Sequence, residues 1–231
     1  MGRKGVVIWM REKVIVAWSG GKDSALALYE ILNAGGYEVI ALLTTVTRDY
    51  DRISIHGVRR VMLEQQARAL RIPLEETFIP KGASNADYER ELLKALRQHR
   101  DSGVCSVVFG DIFLADVRKY RESLLEKAGM KAFFPLWGRN TKLLPLEFIN
   151  LGFKAIVTSV DSAVLNRDFV GRDYDEQFLA NLPANVDPCG ENGEFHSFVY
   201  DGPIFKEKIA FKKGEIVLRD NCFYYCDLLP S

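Results

Sequence analysis

Through the first 134 residues, short runs of β-branched and other apolar residues alternate strictly with longer amphipathic segments, and this alternation constrains the fold more than any other feature of the chain. Strands are expected at 14–18, 38–46, 74–79, 104–109 and 131–134, where the apolar runs are short and continuous. Helices are expected at 24–34, 58–70, 86–99 and 117–128, where apolar residues recur every three or four positions, as in Leu92, Leu93 and Leu96. Strands that are apolar on both faces must be covered on both faces. The expectation is therefore an α/β domain, a doubly wound parallel sheet joined by right-handed crossovers.

After "PLWG" the pattern changes. A helix at 143–151 and a strand at 153–160 lead into a loop-rich stretch at 172–197, and strands follow at 195–200, 208–211, 215–218 and 222–227. This tail reads as a smaller α+β unit. The division expected is 1–137 and 138–231.

With 48% apolar residues the chain can bury a proper core, and its formal net charge of zero supplies no global field toward nucleic acid or an anionic membrane. Neither partner is expected. The early apolar run at 6–10 is too short for a signal-peptide core or a membrane span, so a soluble cytoplasmic protein is expected. The four cysteines lack paired C-x-x-C spacing and read as reduced thiols. Cys105, in an apolar run, is expected to be buried, and Cys222, Tyr224 and Cys226 to share one strand face.

The first expected strand runs directly into "SGGKDS", Ser19–Ser24, and then into a helix. A Walker A loop would need Gly where Val16 stands and Ser or Thr where Asp23 stands; the dinucleotide fingerprint fails because Gly20 and Gly21 are adjacent. The physics is still that of an anion site. Two glycines let the backbone curl into a concavity of N–H groups ahead of a helix whose first turn has unpaired donors and a positive dipole end. Ser19 and Ser24 add hydroxyls and Lys22 a mobile charge, while Asp23 could cap the helix or hold a magnesium ion arriving with a nucleotide. The plainer reading is an ordinary glycine turn with a serine or aspartate cap.

SGGKDS after a first strand resembles the signature of the PP-loop ATP pyrophosphatases. That resemblance implies a Rossmann-like domain of the adenine nucleotide alpha hydrolase type, a loop holding the pyrophosphate portion of ATP, and AMP and pyrophosphate as products. The tail "CGENGEFHSFVYDGPIF", 189–205, resembles the carboxy-terminal motif of the diphthine–ammonia ligases, matching it at Gly190, Glu191, Gly193, Glu194, Phe195, Asp201, Pro203 and Phe205. "PLWGR", 135–139, and "GFKAIV", 152–157, are similar to segments of the same family. The resemblance implies ATP with Mg2+, ammonium as nitrogen donor, diphthine on elongation factor 2 as acceptor, and Lys22, Asp23, Glu191 and Glu194 as catalytic residues. It places Ser19, Gly20, Gly21, Lys22, Asp23 and Ser24 on ATP, with Thr44, Gly110 and Asp111 at strand ends that clasp adenine and ribose. Arg118, Arg139, Gly193, Glu194 and His196 fall on the acceptor side, and a homodimer is allowed.

Departures are visible too. Where the family carries Y-Q-R-x-R, "DVRKY" keeps Arg118 but has Asp116, Val117 and Tyr120, and "DRISIHGVRR", 51–60, retains a single histidine, His56. Read from the residues alone, GENGEFH is two carboxylates on a glycine-bent loop: a solvated turn, or groups able to bind magnesium, orient ammonium or take its proton. Asp111 reads as a helix cap or a ribose contact, His56 and His196 as surface hydrogen-bonders or groups titrating near neutrality, and His99 as a cation near a helix end. Two other readings compete: the same adenylation of a different carboxylate or carbonyl, and a nucleotide-binding sensor of the universal-stress type.

Overall fold

The computed structural model describes residues 11–47, 52–53, 57–80 and 82–231. The first unit is built from β1 (Glu12–Ala17), α1 (Lys22–Asn33), β2 (Tyr37–Thr47), β3 (Arg52–Ile53), α2 (Arg60–Leu70), β4 (Leu74–Ile79), α3 (Asn85–Asp101), β5 (Ser106–Val108), α4 (Ala115–Ala128) and β6 (Lys131–Phe133). Five of its strands are parallel, in the order β4-β2-β1-β5-β6. The two-residue β3 pairs antiparallel with Val46 and Thr47, past the last partner of β1 at Leu43. The expected doubly wound parallel sheet is present.

Successive side chains of a strand face opposite ways, and the centre of the sheet shows the consequence. Val14 and Val16 join one core with Leu28 and Ile31 of α1 and Met62 and Leu63 of α2, whereas Ile15 joins another with Leu96 of α3 and Leu125 of α4. The first of these cores continues without a break into the second unit, through Phe148, Phe178, Phe195 and Phe198.

That second unit comprises α5 (Leu144–Asn150), β7 (Lys154–Asp161), a short 3-10 turn at Arg167–Phe169, α6 (Glu176–Asn181), β8 (Phe195–Asp201), β9 (Phe211–Arg219) and β10 (Phe223–Pro230). Its four strands form a separate antiparallel sheet, β8-β7-β10-β9. The strand expected at 208–211 is absent apart from Phe211, which opens β9; Lys212, Lys213 and Gly214 continue that strand into the one expected at 215–218 rather than turning. α6 lies inside the stretch expected to be loop, started by Asp175, whose side chain accepts from the Phe178 amide.

Two cysteine expectations fail. Cys105 is exposed, because it lies ahead of β5 at the amino-terminal edge of the sheet, where its backbone is held by Lys13 and Lys131 and its thiol reaches only the Gly103 carbonyl. Cys222 is exposed in the turn before β10 and so does not share the face of buried Cys226. No helix among the described residues is long and apolar enough to cross a membrane.

Candidate active site

The Ser19–Ser24 loop connects the carboxyl end of β1 to α1. Gly20 takes φ +76, and a Cβ there would meet the Gln66 side-chain oxygen at 2.6 Å, so the position requires glycine on both counts. Gly21 is the cap residue of α1, in extended conformation and without any side-chain cap. Asp23 therefore does not cap the helix. Ser24 Oγ donates back to the Gly21 carbonyl (2.9 Å) and lies 3.2 Å from Ser19 Oγ, while the Lys22 amide donates to Ser197 Oγ of β8 (3.1 Å). The amides of Asp23 and Ser24, in the first turn, have no acceptor among the described residues, as an anion site at a helix start requires. Gly110 closes the far side. A Cβ on it would fall 2.7–2.8 Å from the Asp23 carbonyl group and 3.0 Å from the Ser24 amide nitrogen, so only glycine lets the end of β5 approach the loop this closely.

Lys22 is not the mobile charge expected from the sequence. Its side chain is 6% exposed, pairs with Asp23 at 2.8 Å, and lies 5.8 Å from the Tyr174 ring centroid and 5.3 Å from that of Phe195. Both rings come from the second unit, which buries the lysine. Burial would lower its pKa, but the charge of Asp23 and the hydrogen bond to it outweigh that and hold the ammonium above its ordinary value. The Asp23 carboxyl is also raised, first by burial and then by Asp187 and Asp111, with Lys22 opposing. The two directions have different first causes: Asp23 and its hydrogen bond hold the proton on Lys22 against burial, whereas burial itself holds the proton on Asp23 against Lys22.

The second unit supplies the opposite wall through the loop before β8. Gly190 takes φ +65 and packs where a Cβ would lie 2.8 Å from the Phe195 carbonyl oxygen, which bends the loop inward. Glu191 then reaches across to the first unit: its Oε1 accepts from the amides of Ile112 (2.8 Å) and Phe113 (3.4 Å), just after Gly110-Asp111. Burial raises the Glu191 carboxyl, the bonds from Ile112 and Phe113 oppose this, and Asp23 and Asp111 add to the rise. Glu194 behaves differently. It is buried and accepts from the amides of Asp187 and Asn192 (3.0 Å each) and from Asn192 Nδ2 (2.9 Å), so its carboxylate holds its own loop together instead of facing the cleft. His196, expected on a surface loop, is on β8, and burial with the charge of Lys22 pushes its imidazole down to about 4.

Between these walls lies a cleft of about 370 Å³. Ser19, Gly21, Lys22, Asp23, Ser24, Thr44, Gly110, Asp111, Glu191, Gly193 and His196 all line it, bringing most of the expected site together from both units. Gly20 and Glu194 stand behind its walls. Arg118 and Arg139 lie outside it: Arg118 pairs with Glu122 and stacks 5.0 Å from Phe134 and 4.6 Å from Trp137, and Arg139 is held by Glu30 and Glu147. His56 falls outside the described residues, and His99, at the end of α3, is buried with Nε2 2.7 Å from Glu75.

Sequence reasoning missed Arg121, which lines the cleft one turn beyond Arg118, 2.8 Å from Asp111 and 4.5 Å above the Phe109 ring. The i, i+3 relation to Arg118 was the available signal, but which side of α4 faces the sheet depends on packing. Tyr88, Phe109 and Tyr120 extend the lining between α3 and α4. Among the described residues no three His, Cys, Asp or Glu side chains are disposed to hold a metal ion.

Known proteins show the same two-part arrangement. Residues 12–132 match the diphthamide synthase N-terminal domain and residues 140–227 the diphthamide synthase C-terminal domain. Proteins named diphthine–ammonia ligase are similar over most of the chain. The one from Schizosaccharomyces pombe is 27% identical over 89% of this chain, that from Bos taurus 26% over 89%, and that from Homo sapiens 25% over 89%. The chain spans 37% of the fission-yeast protein and 85% of each of the two mammalian proteins. The readings as a universal-stress sensor or as a ligase for another acceptor draw no support from these matches. With both domains matched in chain order, and their SGGKDS and GENGEF loops facing one another across a single cleft, the chain belongs to the diphthamide synthase family.

Proposed function

We propose that this chain is an ATP-dependent amide ligase that releases AMP and pyrophosphate and converts the carboxylate of diphthine on elongation factor 2 to the amide, with ammonium as nitrogen donor. The observation that carries the reading is Glu191: a carboxylate from the second unit is anchored on the Ile112 amide, in the same cleft as the open helix start at Asp23 and Ser24. In this reading 1–137 forms the ATP-binding unit and 138–231 the acceptor unit, with the cleft between them.

The roles follow from the chemistry of each group. The amides of Asp23 and Ser24, the Ser19 hydroxyl and the Ser24 hydroxyl, once it turns from the Gly21 carbonyl, bind the β- and γ-phosphates, stabilising charge on the departing pyrophosphate. Lys22, fixed beside Asp23, is a stationary positive charge behind this anion site. Asp23 fits Mg2+, which commonly takes one or two carboxylates together with substrate phosphates: its carboxylate lines the cleft at the helix start that would hold the phosphates, with Asp111 and Glu191 on the same lining. When bound, Mg2+ would neutralise phosphate charge. Thr44, Gly110 and Asp111 hold the nucleoside end, and Arg121 joins them through Asp111.

Glu191 serves the acceptor half. Its pKa is raised toward the pH at which a base works best, and its negative charge attracts ammonium, so it is placed to take the proton that ammonium must lose before nitrogen attacks the carbonyl carbon. His196, neutral above pH 5, offers a hydrogen-bonding nitrogen rather than a charge. Gly193 gives the acceptor room, and Glu194 holds the loop that carries Glu191. The test is incubation with ATP, magnesium, ammonium and elongation factor 2 bearing diphthine, with the modified peptide read by mass spectrometry. Conversion of carboxylate to carboxamide supports the reading, and an unchanged peptide beside active control enzyme overturns it.

A further inference from the structure

Gln66 is fully buried on α2, on the side of the first sheet that the second unit covers. Every hydrogen-bonding group of its amide is used. Nε2 donates to the Gly20 carbonyl (2.9 Å) and to the Val199 carbonyl (2.6 Å), and Oε1 accepts from the Trp18 indole (2.9 Å). Two carbonyl partners and one N–H partner allow only one orientation of the amide. The Val199 amide in turn donates to the Gly20 carbonyl (2.9 Å), and two residues away, at the start of α1 and on β8, the Lys22 amide donates to Ser197 Oγ. One side chain thus joins the end of β1, the ATP loop and β8, and β8 begins where the loop bearing Glu191 ends.

We propose that Gln66 is a positioning residue that sets the register between the Ser19–Ser24 loop and β8, and so couples what binds at the loop to the geometry of the acceptor wall. This rests on the ATP-binding reading of the loop. A buried amide satisfied at all three points is rigid, because moving either partner strands a donor or acceptor in an apolar core. The glycine at position 20 is part of the same device, since any Cβ there would collide with Gln66. Phosphate contacts come from the first unit alone, so loosening the joint leaves ATP binding in place and disturbs the steps that need both walls.

The experiment uses hydrogen exchange at the Val199 amide with and without ATP, beside calorimetry and steady-state amide formation. In wild type, ATP is expected to slow Val199 exchange by about ten-fold, since ligand that orders the loop stabilises the acceptor of that amide. In Gln66→Met, which keeps side-chain length, ATP should bind within about three-fold of wild type while the slowing disappears, and kcat should fall about ten-fold with KM for ATP unchanged. A purely structural Gln66 would lower the melting temperature with kcat and exchange coupling intact, and that result overturns the proposal. So does a rise in KM alone. Should the variant fail to fold, the wild-type arm decides: ATP binding with Val199 exchange unmoved refutes the coupling. Absence of ATP binding by wild type is a separate result, which removes the ligase reading and the coupling together.

Discussion

Replacing Lys22 by Met keeps most of the stem volume and removes the charge from a position where the side chain is 6% exposed. The lysine pairs with Asp23 at 2.8 Å. Breaking a fully buried pair costs about 3–5 kcal/mol, but the Asp23 side chain is 33% exposed, so water recovers part of this and about 2 kcal/mol is the figure to carry. Loss of the cation from beside Tyr174 and Phe195 adds about 1 kcal/mol, partly returned by thioether contacts with the same rings. A destabilisation of about 2–3 kcal/mol lowers the melting temperature of a chain this size by about 4–12 °C.

The pH dependence has a definite sign. Without Lys22 the Asp23 carboxyl loses its main opposing influence and rises further above the ordinary carboxylate range. A carboxyl whose folded pKa exceeds the unfolded one binds more protons in the folded state between the two values, so folding is favoured by acid across that window. The gap between wild type and Lys22→Met should therefore narrow as the pH falls from 7 toward 4. Lys22 itself, with a raised pKa, stays charged throughout that range. Differential scanning calorimetry of both proteins across that range is the assay. A variant as stable as wild type at pH 7, or a gap that widens in acid, would refute the buried-pair reasoning.

Other outcomes follow from the same geometry. Gly110→Ala pushes a methyl group into the backbone at Asp23 and Ser24, and calorimetry should show ATP affinity reduced about ten-fold or more with the fold retained. Glu191→Gln should leave ATP affinity near normal and slow amide formation by about a hundred-fold, the scale of a lost general base; a full rate in the variant removes Glu191 from the chemistry. Glu194→Gln presents an NH2 group to donors that need an acceptor, so it should lower the melting temperature and impair amidation through the Glu191 loop. His196 should titrate near 4 by NMR; because that lies below the unfolded value, its contribution to stability is full above about pH 6.5 and is lost as the pH falls toward 4.

The sheet was legible because alternation of continuous apolar strands with helical periodicity has few solutions, and the Ser19–Ser24 loop because glycines, hydroxyls and a helix start leave little choice in a local turn. What escaped depends on contacts between distant segments. Lys22 reads as a surface cation until Tyr174 and Phe195, more than 150 residues away in sequence, close over it. Gln66 looks like a polar position on an amphipathic helix until the second sheet covers that side. Arg118 and Arg121 are a turn apart, and only the packing of α4 on β5 and β6 decides that the second faces the cleft. Glu191 and Glu194 look equivalent in GENGEF, yet the bend at Gly190 sends one across the cleft and folds the other back on its own loop. The strand through Lys212-Lys213-Gly214 was missed for a more ordinary reason: two lysines and a glycine read as a turn, and pairing with β10 overrides local preference.

The central claim is that one cleft joins a pyrophosphate-holding loop to an acceptor-activating carboxylate. It is tested most directly by following ATP labelled at the α-phosphorus through a reaction with ammonium and diphthine-bearing elongation factor 2, with products separated by chromatography. The predicted result is AMP formed in step with amide, one for one, and neither product when the acceptor is withheld. Labelled ADP in place of AMP, or AMP released at the same rate without acceptor, would contradict it.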